Sequence, residues 1–406
     1  MNYSSYVLPN GLRIVHLPTD SSVSYCGYAV NAGTRDEEPE EFGLAHFVEH
    51  MLFKGTRKRK SWHILNRMEN VGGELDAYTT KEETFVYSIF MEEHYNRAFE
   101  LLTDLVFNSQ FPMPEIEKEV DVILDEINSY QDSPSELIYD EFENYLFNGH
   151  SLGHNILGDT DSLLSFTPEF GRSFMRRFYV PENMVFFSMG RKPLSKIIKL
   201  AESALLTQTF SPLHRQRQAP DFFSSFSRRE NKETHQTHVL IGGKAYHMHD
   251  DRRIPLFLLN NIIGGPGMNN RLNVSLREKN GLVYTVESGI TNYTDTGLVS
   301  IYFGTDPKNV AKARSLVYKE LKRLREVRLT ETQLHAAQKQ LIGQLSVAGD
   351  NKEGVFLGLG KSILHYNRYD TLTESIAKIE KITTSQLLEV ANDVFAEENL
   401  STLIYE

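Results

Sequence analysis

The sequence predicts an α+β protein that contains two copies of one unit, with strands first and helices after. A helical segment, the dipeptide Glu-Asn and an apolar strand occur in this order at 167–189 and again at 384–405. Between the copies, the stretch 207–234 is polar, basic in patches and interrupted by prolines, which favours a solvated linker over a docking patch. We therefore expect domains at 1–210 and 235–406, joined by a linker at 211–234.

The composition is that of an ordinary globular protein, and it excludes some classes of function. The 406 residues can form two or more domains with large cores. Lys and Arg total 43 and Asp and Glu total 54, which gives a net charge of −11. This balance argues against a nucleic-acid partner and slightly favours cationic substrates. The single cysteine, Cys26, lies in an expected strand and is interpreted as a buried apolar residue.

The chain lacks the patterns of a secretory or membrane segment. Residues 1–6 contain no basic stretch followed by an apolar run, so no signal peptide is expected. No apolar stretch is long enough to span a bilayer, so no membrane partner is expected. The expected compartment is the cytoplasm, although a trimmed mature chain would give the same pattern.

The first domain is expected to open with a hairpin. Strands at 6–8 and 12–15 flank Asn10-Gly11, a residue pair that favours tight turns because it tolerates positive φ. Periodicity and breaker residues predict the elements that follow. They are a strand at 23–30, helices at 42–53 and 61–71, strands at 74–78 and 84–90, and helices at 93–108 and 115–130.

The helix at 42–53 carries a candidate metal site, His46-Phe47-Val48-Glu49-His50. Four residues of a helix turn through about 400°, so His46 and His50 lie on one face and can share a divalent ion. Glu49 lies beside them, where a carboxylate could take a proton from a metal-bound water. The alternative is two polar residues on an amphipathic helix, since a pattern with three fixed positions arises by chance fairly often.

The helix at 115–130 has an acidic face that could complete such a site. Glu119 and Glu126 are seven residues apart, so they share a face. For most helices such a face is simply solvated. Here the two histidines need a third protein ligand, and two histidines with one glutamate form a known catalytic zinc set.

These motifs resemble the pitrilysin/insulinase (M16) family of zinc metallopeptidases. The resemblance rests on His46-x-x-Glu49-His50, on Phe53-Lys54-Gly55-Thr56 after it, and on the spacing to Glu126. The chain is similar to the short two-domain members of the family, such as bacterial processing-peptidase-like proteins. It implies two homologous domains, each a mostly antiparallel sheet covered by helices. It also implies that His46, His50 and Glu126 bind one Zn²⁺ per chain, that Glu49 is the general base, and that Glu119 is a supporting carboxylate.

The second domain lacks a counterpart of the metal motif, so only the first is expected to perform metal chemistry. Its glycine-rich loop contains Gly265 and Gly267, and a phosphate-binding role is weak because no Gly-Lys-Ser/Thr follows. The stretch 276–284 resembles the second-domain signature of the M16 family. The resemblance implies that Arg277 and Tyr284 contact the substrate near the scissile carbonyl, and that the two glycines bind substrate. Taken alone, Arg277 would be a surface charge and Tyr284 a strand aromatic.

The resemblance also implies how a substrate binds. An unstructured peptide would add a strand along Leu75, Asp76, Ala77 and Tyr78, using backbone hydrogen bonds. Asp76 stands where the family usually has asparagine, which changes the hydrogen bonding there and favours basic side chains nearby.

The resemblance further implies a homodimer that encloses a chamber and forms composite active sites. The expected function is therefore a zinc-dependent endopeptidase. Some relatives are structural or regulatory subunits, so the alternative is a non-catalytic or partner-dependent subunit of a hetero-oligomer.

The other clustered histidines are interpreted as structural. His150 and His154 are four residues apart, but glycines surround them, so we expect loop histidines. The cluster at 235–249 contains four histidines with no acid or cysteine at useful spacing, which favours ordinary strand and loop positions. Three glycines at 354–360 interrupt an otherwise helical stretch, and the sequence offers no reason for them.

Overall fold

The structure is a computed structural model that describes residues 3–213, 215, 217–221 and 225–406. Its strands are β1 (Ser4–Val7), β2 (Arg13–Pro18), β3 (Val23–Val30), β4 (Glu74–Thr79), β5 (Thr84–Met91), β6 (Met184–Gly190), β7 (Ser227–Glu230), β8 (Thr237–Ala245), β9 (Val283–Asn292), β10 (Gly297–Thr305) and β11 (Leu400–Tyr405).

The helices are named in chain order in the same way. They are α1 (Leu44–Leu52), α2 (Ser61–Glu69), α3 (Tyr95–Asn108), α4 (Met113–Gln131), α5 (Pro134–Leu146), α6 (Thr160–Ser165), α7 (Pro168–Phe178), α8 (Leu194–Leu205), α9 (Arg253–Gly264), α10 (Val310–Glu326), α11 (Glu331–Ala348), α12 (Lys352–Tyr366), α13 (Leu372–Glu380) and α14 (Thr384–Val394). Among the described residues, no helix is long and apolar enough to cross a membrane.

The chain forms two compact units, and each is discontinuous in sequence. Unit 1 contains the described residues up to Asn128, together with His154–Arg217 and Asp350–Thr371. Unit 2 contains Ser129–Gly153, Gln218–Gly349 and Leu372–Glu406. Each unit therefore includes one helical segment from beyond the boundaries 1–210 and 235–406. Those boundaries, which divide the two repeats along the sequence, stay a prediction.

Unit 1 contains a sheet whose two faces are both covered by helices. Its described strands have the order β1-β2-β6-β3-β5-β4, and neighbours are antiparallel except β2 and β6. The predicted hairpin is present, and Gly11 in its turn has a φ of 90°. Because side chains alternate along a strand, Phe186 enters a core with helices α1, α3, α7 and α8, whereas Phe187 faces α12. Cys26 is fully buried, as predicted.

Helix α12 packs closely on the sheet of unit 1 because of one glycine. At Gly360, an added Cβ would lie only 2.8 Å from the ring of Phe187. The ring of Phe356 stacks on the same phenylalanine, with centroids 4.4 Å apart. Gly360 is one of the three glycines whose role the sequence left unexplained. The structure shows that it allows α12 to pack closely on the sheet.

Unit 2 has the same general arrangement. Within the described residues, its sheet has the order β7-β11-β8-β10-β9, and only β7 and β11 are parallel neighbours. Helices α9, α10 and α14 contribute to the core on one face. Helix α5 covers the other face, where Phe142 packs with Leu240 and Leu403. The predicted class is confirmed: an α+β fold of two units, each a mostly antiparallel sheet covered by helices.

Ion pairs attach α12 to the turn between β4 and β5. The buried carboxylate of Glu83 lies 2.5 Å from Nζ of Lys361 and also pairs with His365, which is buried as well. Burial alone would raise the pKa of Glu83, but the hydrogen bond from His365 and the charge of Lys361 hold this pKa below its usual value. The pairs therefore favour the ionised carboxylate in the folded state.

We expect Glu83→Ala to lower the free energy of unfolding by about 3 kcal/mol at pH 7, because it leaves a buried imidazole and an ammonium group without their partner. Urea-induced unfolding measures this change. A matched control is Glu115→Ala, which breaks the exposed pair with Lys118 and should cost at most about 1 kcal/mol.

The same pair of proteins also tests the electrostatic origin of the effect. The folded-state pKa of Glu83 is depressed, so its contribution is complete above the ordinary value of 4.5 and is lost as the pH falls through the lower folded-state pKa. The difference between wild type and Glu83→Ala should therefore shrink on acidification below pH 4.5. A difference that does not change with pH would contradict this account.

Candidate metal centre and substrate-contacting residues

Helix α1 presents both motif histidines on one side because its other side is core. Phe47, Val48 and Met51 are fully buried among the apolar side chains of unit 1. This packing leaves His46 only 8 % exposed and His50 half-buried. Their ring centroids are 4.5 Å apart, as expected for residues one turn apart on a helix.

Helix α4 brings Glu126 to the two imidazoles. Its Oε2 lies 3.8 Å from Nε2 of His46 and 3.6 Å from Nε2 of His50. Within the described part of the chain, these residues form the one group of three or more metal-ligating side chains whose donor atoms all lie within 4.8 Å of each other. Two imidazole nitrogens and one carboxylate oxygen are the donor set of a catalytic zinc site, so the group fits this metal.

Glu119 forms a hydrogen bond with His50 and an ion pair with Lys54. Oε1 of Glu119 lies 2.8 Å from Nδ1 of His50, and its Oε2 lies 2.6 Å from Nζ of Lys54. Burial alone would raise the pKa of Glu119, but the hydrogen bonds from His50 and Lys54 keep it below its usual value. An ionised Glu119 accepts a hydrogen bond from the Nδ1–H group of His50. The lone pair of Nε2 is then left on the side of Glu126.

The protonation of the two histidines differs because their surroundings differ. Burial lowers the pKa of His46, and together with the smaller effect of the neighbouring His50 it brings this pKa to about 3, so His46 is neutral at pH 7. Burial also acts to lower the pKa of His50, but the hydrogen bond to Glu119 and the nearby carboxylates raise it above its usual value. His46 is therefore ready to act as a ligand, whereas His50 depends on Glu119 for its tautomer.

Glu49 has the surroundings of a proton acceptor. Its side chain is half-buried, and burial raises its pKa above the usual value for a glutamate, while a hydrogen bond from Thr79 of β4 acts in the opposite direction. Its Oε2 is buried and, among the described residues, has no hydrogen-bond partner. An unused acceptor oxygen with a raised pKa beside two histidines suits a general base.

A buried glutamate that the sequence did not single out holds the amino end of α1. Glu37 accepts hydrogen bonds from the backbone N–H groups of Gly43 (2.9 Å) and Ala45 (2.7 Å). Nε2 of His154 lies 3.0 Å from the same carboxylate, whose side chain is fully buried. Nothing in the sequence links positions 37 and 154, so the only available signal was an acidic residue shortly before a predicted helix.

Strand β4 leaves one edge of its sheet free beside α1. It pairs with β5 alone, so one row of its backbone groups is unpaired in the described sheet. Leu75 and Ala77 pack on the core that includes α1, and Tyr78 stacks on Phe85 on the other face. Asp76 is exposed, and its Oδ2 accepts a hydrogen bond of 3.2 Å from Tyr87. The four substrate-binding residues predicted in unit 1 thus lie on an open sheet edge.

The predicted residues of unit 2 also lie together. Gly265, Gly267, Arg277 and Tyr284 line one cavity of about 460 Å³. Arg277 lies in a short π-helical segment at 273–278 and is exposed, and the side chain of Tyr284 on edge strand β9 is 78 % exposed. Gly265 cannot be replaced freely, because an added Cβ would lie 2.8 Å from the backbone of Asn261. The roles of these residues stay predictions.

The fold and the His46, His50 and Glu126 group define a class of protein: two α+β units in one chain, with a ligand set used by zinc hydrolases in the first. A family model described as "Insulinase (Peptidase family M16)" matches residues 14–160. A second model, "Peptidase M16 inactive domain", matches residues 165–341. The chain belongs to peptidase family M16 and is one of its short two-domain members.

Individual relatives cover almost the whole chain. An uncharacterized zinc protease of Bacillus subtilis is 31% identical over 401 residues, which is 98% of this chain and 97% of the relative. An uncharacterized zinc protease of Streptomyces coelicolor is 31% identical over 400 residues, or 95% of this chain and 86% of that one.

Solved structures share the fold at lower identity. A protease from Helicobacter pylori has a TM-score of 0.91 at 20% identity and covers 100% of this chain and 99% of its own. A peptidase M16 inactive domain from Pseudomonas fluorescens has a TM-score of 0.91 at 18% identity, with 100% and 98% covered. At these identities the similarity concerns the fold alone.

We expect Glu119→Ala to weaken zinc binding by about 10- to 100-fold, because His50 loses the carboxylate that sets its tautomer and orientation. Competition with a chromophoric chelator measures the affinity directly and needs no substrate. Glu117→Ala is a matched control, since this exposed residue lies on the same helix. Equal zinc affinity in Glu119→Ala and wild type would rule out the orienting role.

Proposed function

We propose that this M16 protein is a zinc-dependent endopeptidase that cleaves unstructured peptides. The observation that carries the proposal is the group formed by His46, His50 and Glu126, with Glu49 beside it. The donor atoms are close enough to share one ion, and their chemistry suits zinc. The names of the relatives as zinc proteases point in the same direction.

In the proposed mechanism, His46, His50 and Glu126 would hold one zinc ion. Bound there, zinc would lower the pKa of a water molecule and polarise the scissile carbonyl. Glu49 takes the proton of the attacking water and passes it to the leaving amine. Its raised pKa and its unpaired Oε2 support this assignment, because the carboxylate must accept a proton near neutral pH.

The substrate is proposed to bind as an added strand on β4. The free backbone groups of that edge would hold the peptide main chain, so many sequences could bind. Asp76 is an exposed carboxylate on this strand, and we propose that it favours peptides with basic side chains. Arg277 and Tyr284 are proposed to stabilise the negative charge on the carbonyl oxygen, and Gly265 and Gly267 to contact the substrate.

Replacement of Glu49 tests the proposed general base. Wild type should cleave an unstructured, internally quenched basic peptide, and Glu49→Gln should lower kcat/KM by about 10²- to 10⁴-fold while retaining zinc, since the amide cannot accept the proton. Metal content is determined on both proteins, and Glu117→Gln serves as the matched control.

The other outcomes of this experiment separate the alternatives. Zinc in both proteins without cleavage by either would indicate a missing partner chain or a narrow substrate range. Absence of zinc from both would remove the peptidase proposal. It would favour a non-catalytic or partner-dependent subunit of a hetero-oligomer.

We further propose that the active form is a homodimer with composite sites, in which Glu49 of one subunit works with Tyr284 of the other. The chain carries both halves of the predicted machinery, which favours self-sufficiency over a different partner. The expected cytoplasmic location likewise stays a prediction.

Mixed dimers test this arrangement. Glu49→Gln and Tyr284→Phe chains with different tags are co-expressed, and the dimers that carry both tags are purified. Each mixed dimer should have one intact site and one doubly altered site, so we expect about half of the wild-type activity. If both sites form within single subunits, every site carries one change and activity stays as low as in the two parents.

A further inference from the structure

Unit 1 contains a concave site that is distinct from the candidate metal ligands. Its volume is about 790 Å³, within the usual range of small-molecule sites. Its walls come from residues 57–58, from the end of α3 with the turn that follows, from α7 and from residues 208–211. His46, His50 and Glu126 do not line it. The activity proposed above gives this cavity no role.

The cavity is strongly cationic in a chain of net charge −11. Arg57, Lys58, Arg172 and Arg176 line it, and no Asp or Glu occurs among its described lining residues. Glu169, outside the lining, pairs with Arg176. Four cations and one acid leave a local charge of about +3, which attracts anions into the cavity.

Backbone contacts hold two of these cationic residues at the cavity rim. Nη2 of Arg172 donates a hydrogen bond of 3.2 Å to the carbonyl oxygen of Gln110. The backbone N–H of Arg57 donates one of 3.1 Å to the carbonyl oxygen of Asn108. The side chains of Arg57 and Lys58 are exposed and have no acidic partner in the described part of the chain. Their charges are therefore available to a ligand.

The inner surface of the cavity is partly apolar. Phe107 and Phe210 are half-buried there, with ring centroids 5.5 Å apart and planes at 66°. Met175 and Tyr179 add further apolar surface. A fully polar ion would leave these side chains in water, whereas a ligand with an apolar ring or chain would cover them.

We propose that this cavity binds a phosphate-bearing small molecule that has an apolar body. A phosphate monoester carries a charge of about −1.5 to −2 at pH 7, so it balances the cationic rim better than a single carboxylate does. Its oxygens can accept paired hydrogen bonds from guanidinium groups, and its apolar body packs on the two phenylalanine rings. The phosphate could belong to a free metabolite or to a lipid headgroup.

The chain contains its own reporter for this site. Trp62 is its single tryptophan, and the side chain is 59 % exposed. It lines an adjacent cavity of about 360 Å³ that shares Lys58 with the proposed site. Binding next to Lys58 should therefore change the fluorescence of Trp62.

The test is a titration of the zinc-loaded protein with phenyl phosphate, followed by Trp62 fluorescence and by calorimetry. We expect saturable binding with a dissociation constant of about 0.1–1 mM. Inorganic phosphate, which lacks the ring, and benzoate, which lacks the second charge, should each bind at least about tenfold more weakly.

Charge reversal assigns the binding to this cavity. Arg57→Glu/Lys58→Glu should weaken phenyl phosphate binding at least about tenfold. Lys196→Glu/Lys199→Glu changes the net charge equally at two exposed positions on α8 and should change it less than about twofold. Equal weakening by both pairs, or no saturable binding, would overturn the proposal. So would binding that Arg57→Glu/Lys58→Glu leaves intact, as expected for phosphate on the zinc ion.

Vesicles distinguish the two sources of the phosphate. If the ligand is a lipid headgroup, the protein should sediment with vesicles that contain phosphatidylglycerol but not with pure phosphatidylcholine, and phenyl phosphate should release it. Binding of phenyl phosphate without sedimentation assigns the cavity to a soluble phosphate ester. Sedimentation that phenyl phosphate cannot reverse would contradict a shared site.

Discussion

The geometry of the candidate metal centre depends on the hydrogen bonds that the buried carboxylate of Glu37 accepts. Helix α1 starts after Gly43, whose φ of 91° turns the chain and which has no side chain of its own to cap the helix. The first N–H groups of a buried helix need partners, and leaving one unpaired costs about 1–3 kcal/mol. Glu37 accepts hydrogen bonds from the N–H groups of Gly43 and Ala45, and His154 holds the carboxylate in place. The start of α1 is thereby fixed, and with it the direction in which the motif side chains point.

Around this helix, similar groups acquire different properties from their surroundings. Glu119 pairs with His50 and Lys54 and keeps a pKa below the usual value, so it stays an anion beside a candidate metal ligand. Glu49 has fewer stabilising partners than Glu119, and burial raises its pKa. Two carboxylates close to one histidine are thus suited to two tasks, a fixed negative charge and a proton acceptor. This difference between the two pKa values arises from the packing of α1, α4 and β4, which gives each carboxylate its neighbours.

Parts of the fold and the site follow local rules and were therefore predictable. The one-turn spacing of His46 and His50 and the two-turn spacing of Glu119 and Glu126 place each pair on one helix face before any packing is known. The hairpin at Asn10-Gly11 and the alternating strands are equally local. The direct approach of Glu126 to the histidines was expected only through the family resemblance, because it requires α4 to pack against α1.

The sequence by itself determined the two-copy α+β plan through its repeated segment. It also determined which side chains of one helix could share a metal, because helical periodicity fixes the direction of each side chain relative to its own backbone. Only the tertiary structure decided that Glu37 and His154 hold α1, that α12 joins unit 1 and α5 joins unit 2, and that four cations surround one cavity. These contacts join positions far apart in the chain. They form only when the helices and strands pack against each other, so no local sequence pattern predicts them.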